Sequence, residues 1–206
     1  TMNLLVCGGA GFIGSNFIKY ILGKYSNYKI INIDVLTYAG NLINLKEIDN
    51  SPNYQFIKAD IRDRQKIDEI FKNYDITSVV NFAAESHVDR SIDEPDVFLT
   101  TNIIGTQVLL DVATKNWKIY PNDKFNKEYK KGVKFIQVST DEVYGSLDEG
   151  GFFNETMPLK PNSPYSAAKA SADLIVRAYN QTYGTPTNIT RCSNNYGPFQ
   201  FPEKLI

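Results

Sequence analysis

Short apolar runs alternate with amphipathic segments of helical period along most of the chain. The apolar runs predict strands over residues 4–7, 29–33, 55–58, 78–82, 134–138 and 187–191. Between them, the spacing of apolar residues predicts helices over residues 13–24, 64–73, 97–116 and 164–183. Short, nearly continuous apolar strands separated by helices are typical of a parallel sheet covered on both faces. The pattern therefore predicts an α/β fold with a doubly wound, mostly parallel sheet.

A glycine-rich turn joins the first predicted strand to the first predicted helix. Gly8, Gly11 and Gly14 follow one another at intervals of three residues. Such a turn lets the backbone approach a pyrophosphate, and the helix N-terminus offers it unpaired N–H groups and a favourable dipole. Glycine turns also occur for packing reasons alone. By itself the turn is moderate evidence for a bound dinucleotide.

The acidic residue that such a site needs is Asp34. It follows Gly14 by 20 positions and ends the second predicted strand. A carboxylate there accepts hydrogen bonds from ribose hydroxyls and repels a 2′-phosphate, which favours NAD over NADP. The alternative is a turn or helix cap. Strand, glycines and spacing agree, so we predict that NAD is bound here.

A second group of residues predicts hydride and proton transfer. Tyr165 and Lys169 are four residues apart in a predicted helix and share one face. A nearby ammonium, together with the positive charge of NAD⁺, is expected to lower the pKa of Tyr165 and make the phenol a base. Thr140 ends the fifth predicted strand and could hydrogen-bond the same substrate oxygen. Because this spacing is common by chance, its value comes from following a glycine-loop domain.

Two adjacent carboxylates, Asp141 and Glu142, follow Thr140 directly. In isolation they would be interpreted as a loop or helix cap. Beside a Tyr/Lys pair they can act as acid and base, because neighbouring carboxylates push their pKa values apart. This favours elimination of water from a substrate. His87, the single histidine, is interpreted as a locally bonded residue at a helix start rather than as a catalytic group.

Composition narrows the possible partners. The 206 residues include 22 basic and 23 acidic side chains, so the net charge of -1 gives no sign of a nucleic-acid partner. One histidine and the distant Cys7 and Cys192 make a zinc site improbable, and both thiols are expected to be buried and free. Neither a signal peptide nor an apolar run of membrane-spanning length is evident, which predicts a cytoplasmic protein without a membrane partner.

Several motifs together resemble the extended short-chain dehydrogenase/reductase family. They occupy residues 8–15, 83–91, 138–145, 165–169 and 191–198, and the likeness covers the whole chain. It is strongest to the branch that acts on nucleoside-diphosphate sugars, and within it to dehydratases of dTDP-linked glucose. The run Thr140-Asp141-Glu142 discriminates best, because sugar-nucleotide 4-epimerases resemble the chain elsewhere but lack the acid pair.

The resemblance implies a three-step reaction that uses NAD without net consumption. Tyr165 would take the proton from the sugar O4 as C4 is oxidised, while Lys169 holds the ribose of NAD and tunes Tyr165. Glu142 would then remove the C5 proton, and Asp141 would protonate the departing C6 hydroxyl. Hydride return to C6 would give a 4-keto-6-deoxy sugar nucleotide.

The resemblance also implies further site residues and a dimer. Besides the glycines, Asp34, Tyr165 and Lys169, the NAD site would be lined by Phe12, Ile13, Val35, Leu36, Thr37, Asp60, Ile61, Phe82, Ala83, Ala84, Glu85, Ser86, Thr101 and Asn195. The residues expected to touch substrate are Ser86, Thr140, Asn194, Lys204, Leu205 and Ile206. A homodimer would pack through two long helices, which match residues 97–116 and 164–183.

The resemblance divides the chain into an NAD-binding Rossmann-like domain over residues 1–193 and the start of a substrate-binding region over residues 194–206. Family members continue into a smaller C-terminal substrate domain, which we expect to be missing from this sequence. Three alternatives stay open: a dehydratase of UDP-sugars, a 4-epimerase, and an NAD-binding fragment without catalysis.

Overall fold

A computed structural model of the protein describes residues 2–85, 88–147 and 150–200, with only the backbone of residues 88–90. Its sheet has six strands: β1 (Met2–Cys7), β2 (Tyr28–Asp34), β3 (Tyr54–Lys58), β4 (Ser78–Asn81), β5 (Lys134–Thr140) and β6 (Thr187–Cys192). All five pairings are parallel, in the order β3-β2-β1-β4-β5-β6. The predicted doubly wound parallel sheet is confirmed.

Helices connect the strands. They are α1 (Phe12–Lys24), α2 (Arg64–Tyr74), α3 (Val88–Asp93), α4 (Pro95–Phe98), α5 (Thr106–Trp117) and α6 (Pro164–Tyr183). Two 3₁₀ segments, Leu42–Ile48 and Asp141–Tyr144, follow β2 and β5. A π-helical segment, Leu99–Gly105, joins α4 to α5.

Alternate strand residues face opposite layers of the fold. Leu4 and Val6 pack in a cluster with Ile18 of α1. The intervening Leu5 and Cys7 pack in a larger cluster on the other face, with residues of α2, α5 and α6. This is the period of two that a pleated strand imposes, and here both sets are apolar because both faces are covered.

The six predicted strands differ from the structure by at most two residues at either end. β5 runs to Thr140 rather than to residue 138, so Thr140 does end the strand. The segment 97–116 was predicted as one helix and is wrong in detail, because a π-helical stretch interrupts it. The 3₁₀ segment Leu42–Ile48 and α3 were not predicted, since short elements leave too few positions to show a period.

The π-helical segment is bonded to the backbone that follows β4. Asn102 is almost fully buried, and its side-chain amide donates to the carbonyl of Glu85 at 3.1 Å. The Glu85 N–H donates back to Asn102 Oδ1 at 2.9 Å. The segment therefore holds the backbone that follows β4, and π-helical turns are frequent at functional sites.

The helical stretch Pro95–Trp117 is long and apolar enough to cross a membrane, which the sequence analysis did not expect. It has 23 residues, and an 18-residue window of it has a mean hydropathy of 1.3, with 56% of that window buried within the fold. Trp117 is among its fully buried residues and donates its indole N–H to the Ile76 carbonyl at 2.7 Å. These contacts are typical of a core helix.

Candidate active site

A cleft of about 450 Å³ opens at the carboxyl ends of the strands. Loops that follow β1, β2, β3, β4, β5 and β6 contribute to its walls. In the strand order, the chain moves outward in opposite directions from the adjacent strands β1 and β4. Open α/β sheets bind their ligands at such a switch point.

The glycine turn forms one wall of this cleft. Two of its glycines have almost no free space where a side chain would begin. Gly8 has φ of 76°, and a Cβ there would lie 2.7 Å from the backbone N of Ala83. A Cβ on Gly14 would lie 2.4 Å from the Gly8 carbonyl oxygen. Only glycine allows β1, α1 and the Ala83 backbone to approach this closely.

Helix α1 begins directly at this turn. Its N-cap residue is Gly11, and in the described part of the chain no side chain caps the helix. The first backbone N–H groups of α1 thus remain open to an anion in the cleft. A turn of this kind fits the pyrophosphate of a dinucleotide.

Asp34 ends β2 on the opposite side of the turn. Its carboxylate accepts the N–H of Ala10 at 3.0 Å and that of Leu36 at 2.8 Å. Burial raises the pKa of Asp34, and these backbone N–H groups oppose the rise. The same carboxylate lines the cleft, so it both holds the glycine turn and faces a ligand.

Asp60 has an ion-pair partner that the sequence analysis did not identify. The guanidinium of Arg62 binds both its carboxylate oxygens, with Nη2 2.6 Å from Oδ2. This pairing lowers the pKa of Asp60. Both residues line the cleft. Asp60 is therefore an ion-paired carboxylate of the cleft wall, and the residue that caps α2 is Asp63.

Tyr165 is buried in the cleft wall at the start of α6, 6% exposed. Burial raises its pKa well above the usual range, and the charge of Glu142 raises it further. A hydrogen bond with the Thr140 side chain opposes the rise. In the protein by itself, burial and the neighbouring carboxylates raise this pKa; the expected lowering includes the charge of NAD⁺ and stays a prediction.

Lys169 lies one helical turn after Tyr165 and is 4% exposed. Its ammonium donates to the Val138 carbonyl of β5 at 2.7 Å. Burial lowers its pKa to about 8, while the charge of Asp173 acts to raise it. The structure brings Thr140, Tyr165 and Lys169 together in one wall, as the sequence analysis predicts.

The acid pair begins the 3₁₀ segment Asp141–Tyr144. The Thr140 hydroxyl accepts the Glu142 N–H at 3.2 Å and donates to Asp141 Oδ1 at 3.3 Å. Thr140 thus caps the segment and orients both acids. Glu142 lines the cleft, whereas Asp141 is half-buried beside it and does not.

The other predicted ligand residues divide into three groups. Most line the cleft: Gly11, Phe12, Ile13, Val35, Thr37, Ile61, Phe82, Ala83, Ala84, Glu85, Thr101, Asn194 and Asn195. Leu36 does not line it and instead donates its N–H to Asp34. Ser86, His87, Lys204, Leu205 and Ile206 lie outside the described residues.

Some cleft residues were missed or misjudged. Ser139, Ser193, Val97 and Gln200 line the cleft without a sequence signal that marks them. Cys7 is buried as expected, but the expectation of a buried Cys192 is wrong: this thiol is exposed and lines the cleft. The reason is that β6 is an edge strand, and Cys192 is its last residue. Among the described residues no group of three metal-binding side chains exists.

The chain is similar to several known proteins. It is 50% identical over 214 residues to dTDP-glucose 4,6-dehydratase of Salmonella typhimurium, an alignment with 100% of this chain and 58% of that protein. The crystal structure of dTDP-glucose 4,6-dehydratase from Bacillus anthracis in complex with NAD matches with a TM-score of 0.84 and 52% identity, covering 100% and 59% of the two chains.

A more distant structure belongs to a UDP-glucose 4-epimerase from Thermotoga maritima, solved with UDP-glucose. It matches with a TM-score of 0.81 and 33% identity, covering 98% of this chain and 58% of that one. The present chain thus spans a little over half the length of the proteins it resembles. The resemblance to nucleotide-sugar dehydratases predicted from the sequence is confirmed.

A family model described as GDP-mannose 4,6 dehydratase matches residues 5–206. The match includes the glycine turn, the acid pair and the Tyr/Lys helix. With its parallel sheet and its cleft at the switch point, the chain belongs to the GDP-mannose 4,6 dehydratase family.

Proposed function

We propose that the protein takes part in the NAD-dependent dehydration of dTDP-glucose to a 4-keto-6-deoxy sugar nucleotide. One observation carries this proposal: Glu142 and Tyr165 line a single cleft, with Asp141 adjacent to Glu142 in the chain. A simple dehydrogenase or epimerase has no use for this pair of acids. The relatives named dTDP-glucose 4,6-dehydratase support the same reaction and sugar nucleotide.

The cleft fits NAD. The open N-terminus of α1 and the glycine turn would hold its pyrophosphate, and Asp34 would accept hydrogen bonds from the adenosine ribose. Lys169 would hold the nicotinamide ribose, with Asn195 near the ring. When bound, NAD⁺ supplies the acceptor and later the donor of a hydride, so the overall reaction needs no external oxidant.

The protein side chains would move the protons. Tyr165 takes the proton of the sugar O4 as C4 becomes a ketone, with Thr140 bonded to the same oxygen. The ketone acidifies the C5–H bond, and Glu142 removes that proton. Asp141 protonates the C6 hydroxyl, which leaves as water. Each protein group is thus matched to one proton.

Substrate contacts are assigned to Thr140 and Asn194 in the cleft, and to Ser86, Lys204, Leu205 and Ile206. We further propose that residues 1–193 form the NAD-binding domain and that residues 194–206 begin the substrate-binding region. The chain spans 58% of the Salmonella relative. Dehydration of a UDP-sugar is the alternative at the level of substrate.

A homodimer and a cytoplasmic location complete the proposal. Three apolar side chains are exposed on the long helical elements expected to pair: Leu99 at 43%, Ile104 at 50% and Leu174 at 56%. Their burial against a second copy would remove apolar surface from water. Leu174→Glu should shift the mass measured by light scattering from dimer to monomer.

The first test is binding, followed by turnover. Isothermal titration of the 206-residue chain with NAD should give a 1:1 complex, and the full-length protein should convert dTDP-glucose to a 4-keto-6-deoxy product. Glu142→Gln should slow water loss by about 10²-fold, because one proton-transfer group is lost. Oxidised intermediate and NADH should then accumulate. Full dehydratase activity in both Glu142→Gln and Asp141→Asn would contradict the assigned roles.

A further inference from the structure

Asp173 is a buried carboxylate for which the proposed chemistry has no use. It is 1% exposed and lies four residues after Lys169 in α6. Residues at this spacing are neighbours on one helix face. An ionised carboxylate in such a position requires compensation, since burial of an unpaired charge costs several kcal/mol.

The compensation comes from β6. Arg191 donates through Nε to Asp173 Oδ2 at 2.8 Å. Burial raises the pKa of Asp173, but hydrogen bonding and charge from Arg191 oppose the rise. The Ser139 hydroxyl lies beyond ordinary hydrogen-bond geometry, yet close enough to act in the same direction. The carboxylate is thus held in place by the Arg191 guanidinium of β6.

The same guanidinium extends this network to the acid-pair segment. Arg191 Nη1 donates to the Tyr144 hydroxyl at 2.8 Å, and Tyr144 ends the 3₁₀ segment Asp141–Tyr144. The guanidinium also lies over the Tyr144 ring, 5.1 Å from its centroid. The Asp173–Arg191 pair therefore joins the Tyr/Lys helix to the two acids.

The charged form of the buried Lys169 side chain depends strongly on a nearby negative charge. The hydrogen-bond acceptor that the structure shows for its ammonium is the Val138 carbonyl, which carries no net charge. Three ionisable groups line the cleft with Lys169, namely Tyr165, Cys192 and Glu142. Asp173 lies one turn further along α6, with Arg191 of β6 bound to it. Of these, Asp173 and Cys192 act to raise the pKa of Lys169, and Asp173 acts more strongly.

We propose that Asp173 is a positioning residue that keeps the buried ammonium of Lys169 charged, and that Arg191 fixes the Asp173 carboxylate in place. Without this carboxylate, burial would favour the neutral amine. A neutral Lys169 could neither hold a ribose hydroxyl by a charged hydrogen bond nor stabilise the Tyr165 phenolate. This inference rests on the proposed function only through the role given to Lys169.

The test follows the titration of Lys169 by NMR of ¹³C-labelled lysine side chains, with Lys169→Met to assign the signal. In Asp173→Asn the pKa of Lys169 should fall by about one pH unit, the low end of the effect of a nearby opposite charge. Asp111→Asn is the matched control: it removes a carboxylate from the pair with Arg64, which does not contact Lys169. An unchanged or higher pKa in Asp173→Asn would overturn the proposal.

Asp173→Asn leaves the half-buried guanidinium of Arg191 without its carboxylate partner and could unfold the protein. The double variant Asp173→Asn/Arg191→Gln removes both charges and keeps polar side chains of similar size. Arg191 is not among the groups that shift the pKa of Lys169, so this variant should show the same fall. Equality with the wild type would overturn the proposal.

A second readout separates this inference from the proposed function. The NAD dissociation constant of Asp173→Asn should rise more steeply than that of the wild type between pH 6.5 and 8.5 as Lys169 loses its proton, with Asp111→Asn unchanged. If the wild-type chain bound no NAD while the Lys169 titration moved as expected, the proposed function would fail and the role of Asp173 would stand.

Discussion

The two halves of the cleft differ in the kinds of chemical group that line them. The half formed by β1, β2 and α1 presents backbone groups, glycines and one carboxylate, Asp34, that itself bonds the backbone. The half formed by β5, β6 and α6 presents the buried ionisable side chains of Tyr165 and Lys169, and Asp173 is buried on the same helix without lining the cleft. The first half is therefore defined mainly by the shape of the backbone, whereas the second is defined by ionisable side chains.

The difference agrees with the role proposed for each half. A binding site for a pyrophosphate needs close approach of the backbone and open N–H groups, and the spacing of glycines in the local sequence supplies both. Proton transfer needs side chains whose pKa values depend on burial and on one another. Damage to the first half should therefore act on binding and folding, and damage to the second should act on rate and pH dependence.

The largest expected effect comes from a substitution in the second half of the cleft. Tyr165→Phe in the full-length protein should reduce the rate of C4 oxidation by about 10³-fold, because the proton acceptor of the hydroxyl is removed. NAD affinity should change little. Single-turnover absorbance at 340 nm measures the step, and Tyr183→Phe on the same helix is the control. Persistent NADH formation in Tyr165→Phe would refute its role.

A pH-dependent stability difference should distinguish a buried charge from mere packing. The pKa of Lys169 is about 8 in the folded protein against 10.5 as its ordinary value, so between these values the unfolded chain binds more protons. The stability of the wild type should therefore rise with pH relative to Lys169→Met, by at most about 3 kcal/mol from pH 8 to pH 10.5. Urea unfolding across this range measures the difference, and a flat result would contradict the buried charge.

A side chain added in the glycine turn should destabilise the fold by steric overlap. Gly14→Ala places a methyl group 2.4 Å from the Gly8 carbonyl, which should lower the free energy of unfolding by about 2 kcal/mol and weaken NAD binding. Gly23 lies in the same helix with no atom within 4 Å of a Cβ. Gly23→Ala is therefore the matched control and should stabilise the protein by roughly 0.5–1 kcal/mol. Equal effects of the two changes on thermal unfolding would contradict the close approach.

The smallest expected effect concerns cofactor choice. Asp34→Ala removes the carboxylate that is proposed to bind the ribose and that accepts the Ala10 and Leu36 N–H groups. NAD affinity should fall by about tenfold, equivalent to 1.4 kcal/mol, while the discrimination against NADP relaxes. Titration calorimetry with both nucleotides measures the ratio. If preference for NAD persisted unchanged, selectivity would have to come from another residue of the cleft.

Much of the fold and of the first half could be predicted from the sequence. All six strands follow from local apolar runs, and the glycine spacing with Asp34 predicts the turn that the structure forms. The helix over residues 97–116 could not be divided correctly, because a π-helical turn adds a residue without disturbing the apolar pattern enough to be detected. The exposure of Cys192 was missed because strand order decides which strand forms the edge.

The second half could be predicted only in part. Tyr165, Lys169, Thr140 and Glu142 were identified by spacing and order, and the structure does bring them together. The rise in the Tyr165 pKa that burial and the Glu142 carboxylate cause in the protein by itself was not foreseen, because the sequence does not show which groups surround the phenol. The Arg62–Asp60 and Arg191–Asp173 pairs carry no sequence signal, because a charge at the end of a strand looks the same whether solvent or a carboxylate faces it.

By itself, the sequence determined the period of the strands, the glycine turn and the types of side chain available for chemistry. These are local properties, set by the pleat of a strand and by the absence of a Cβ at chosen positions. Only the tertiary structure decided which charges are buried together and how they shift one another. The physical reason is that desolvation and Coulomb interaction depend on distances in space between residues far apart in the chain.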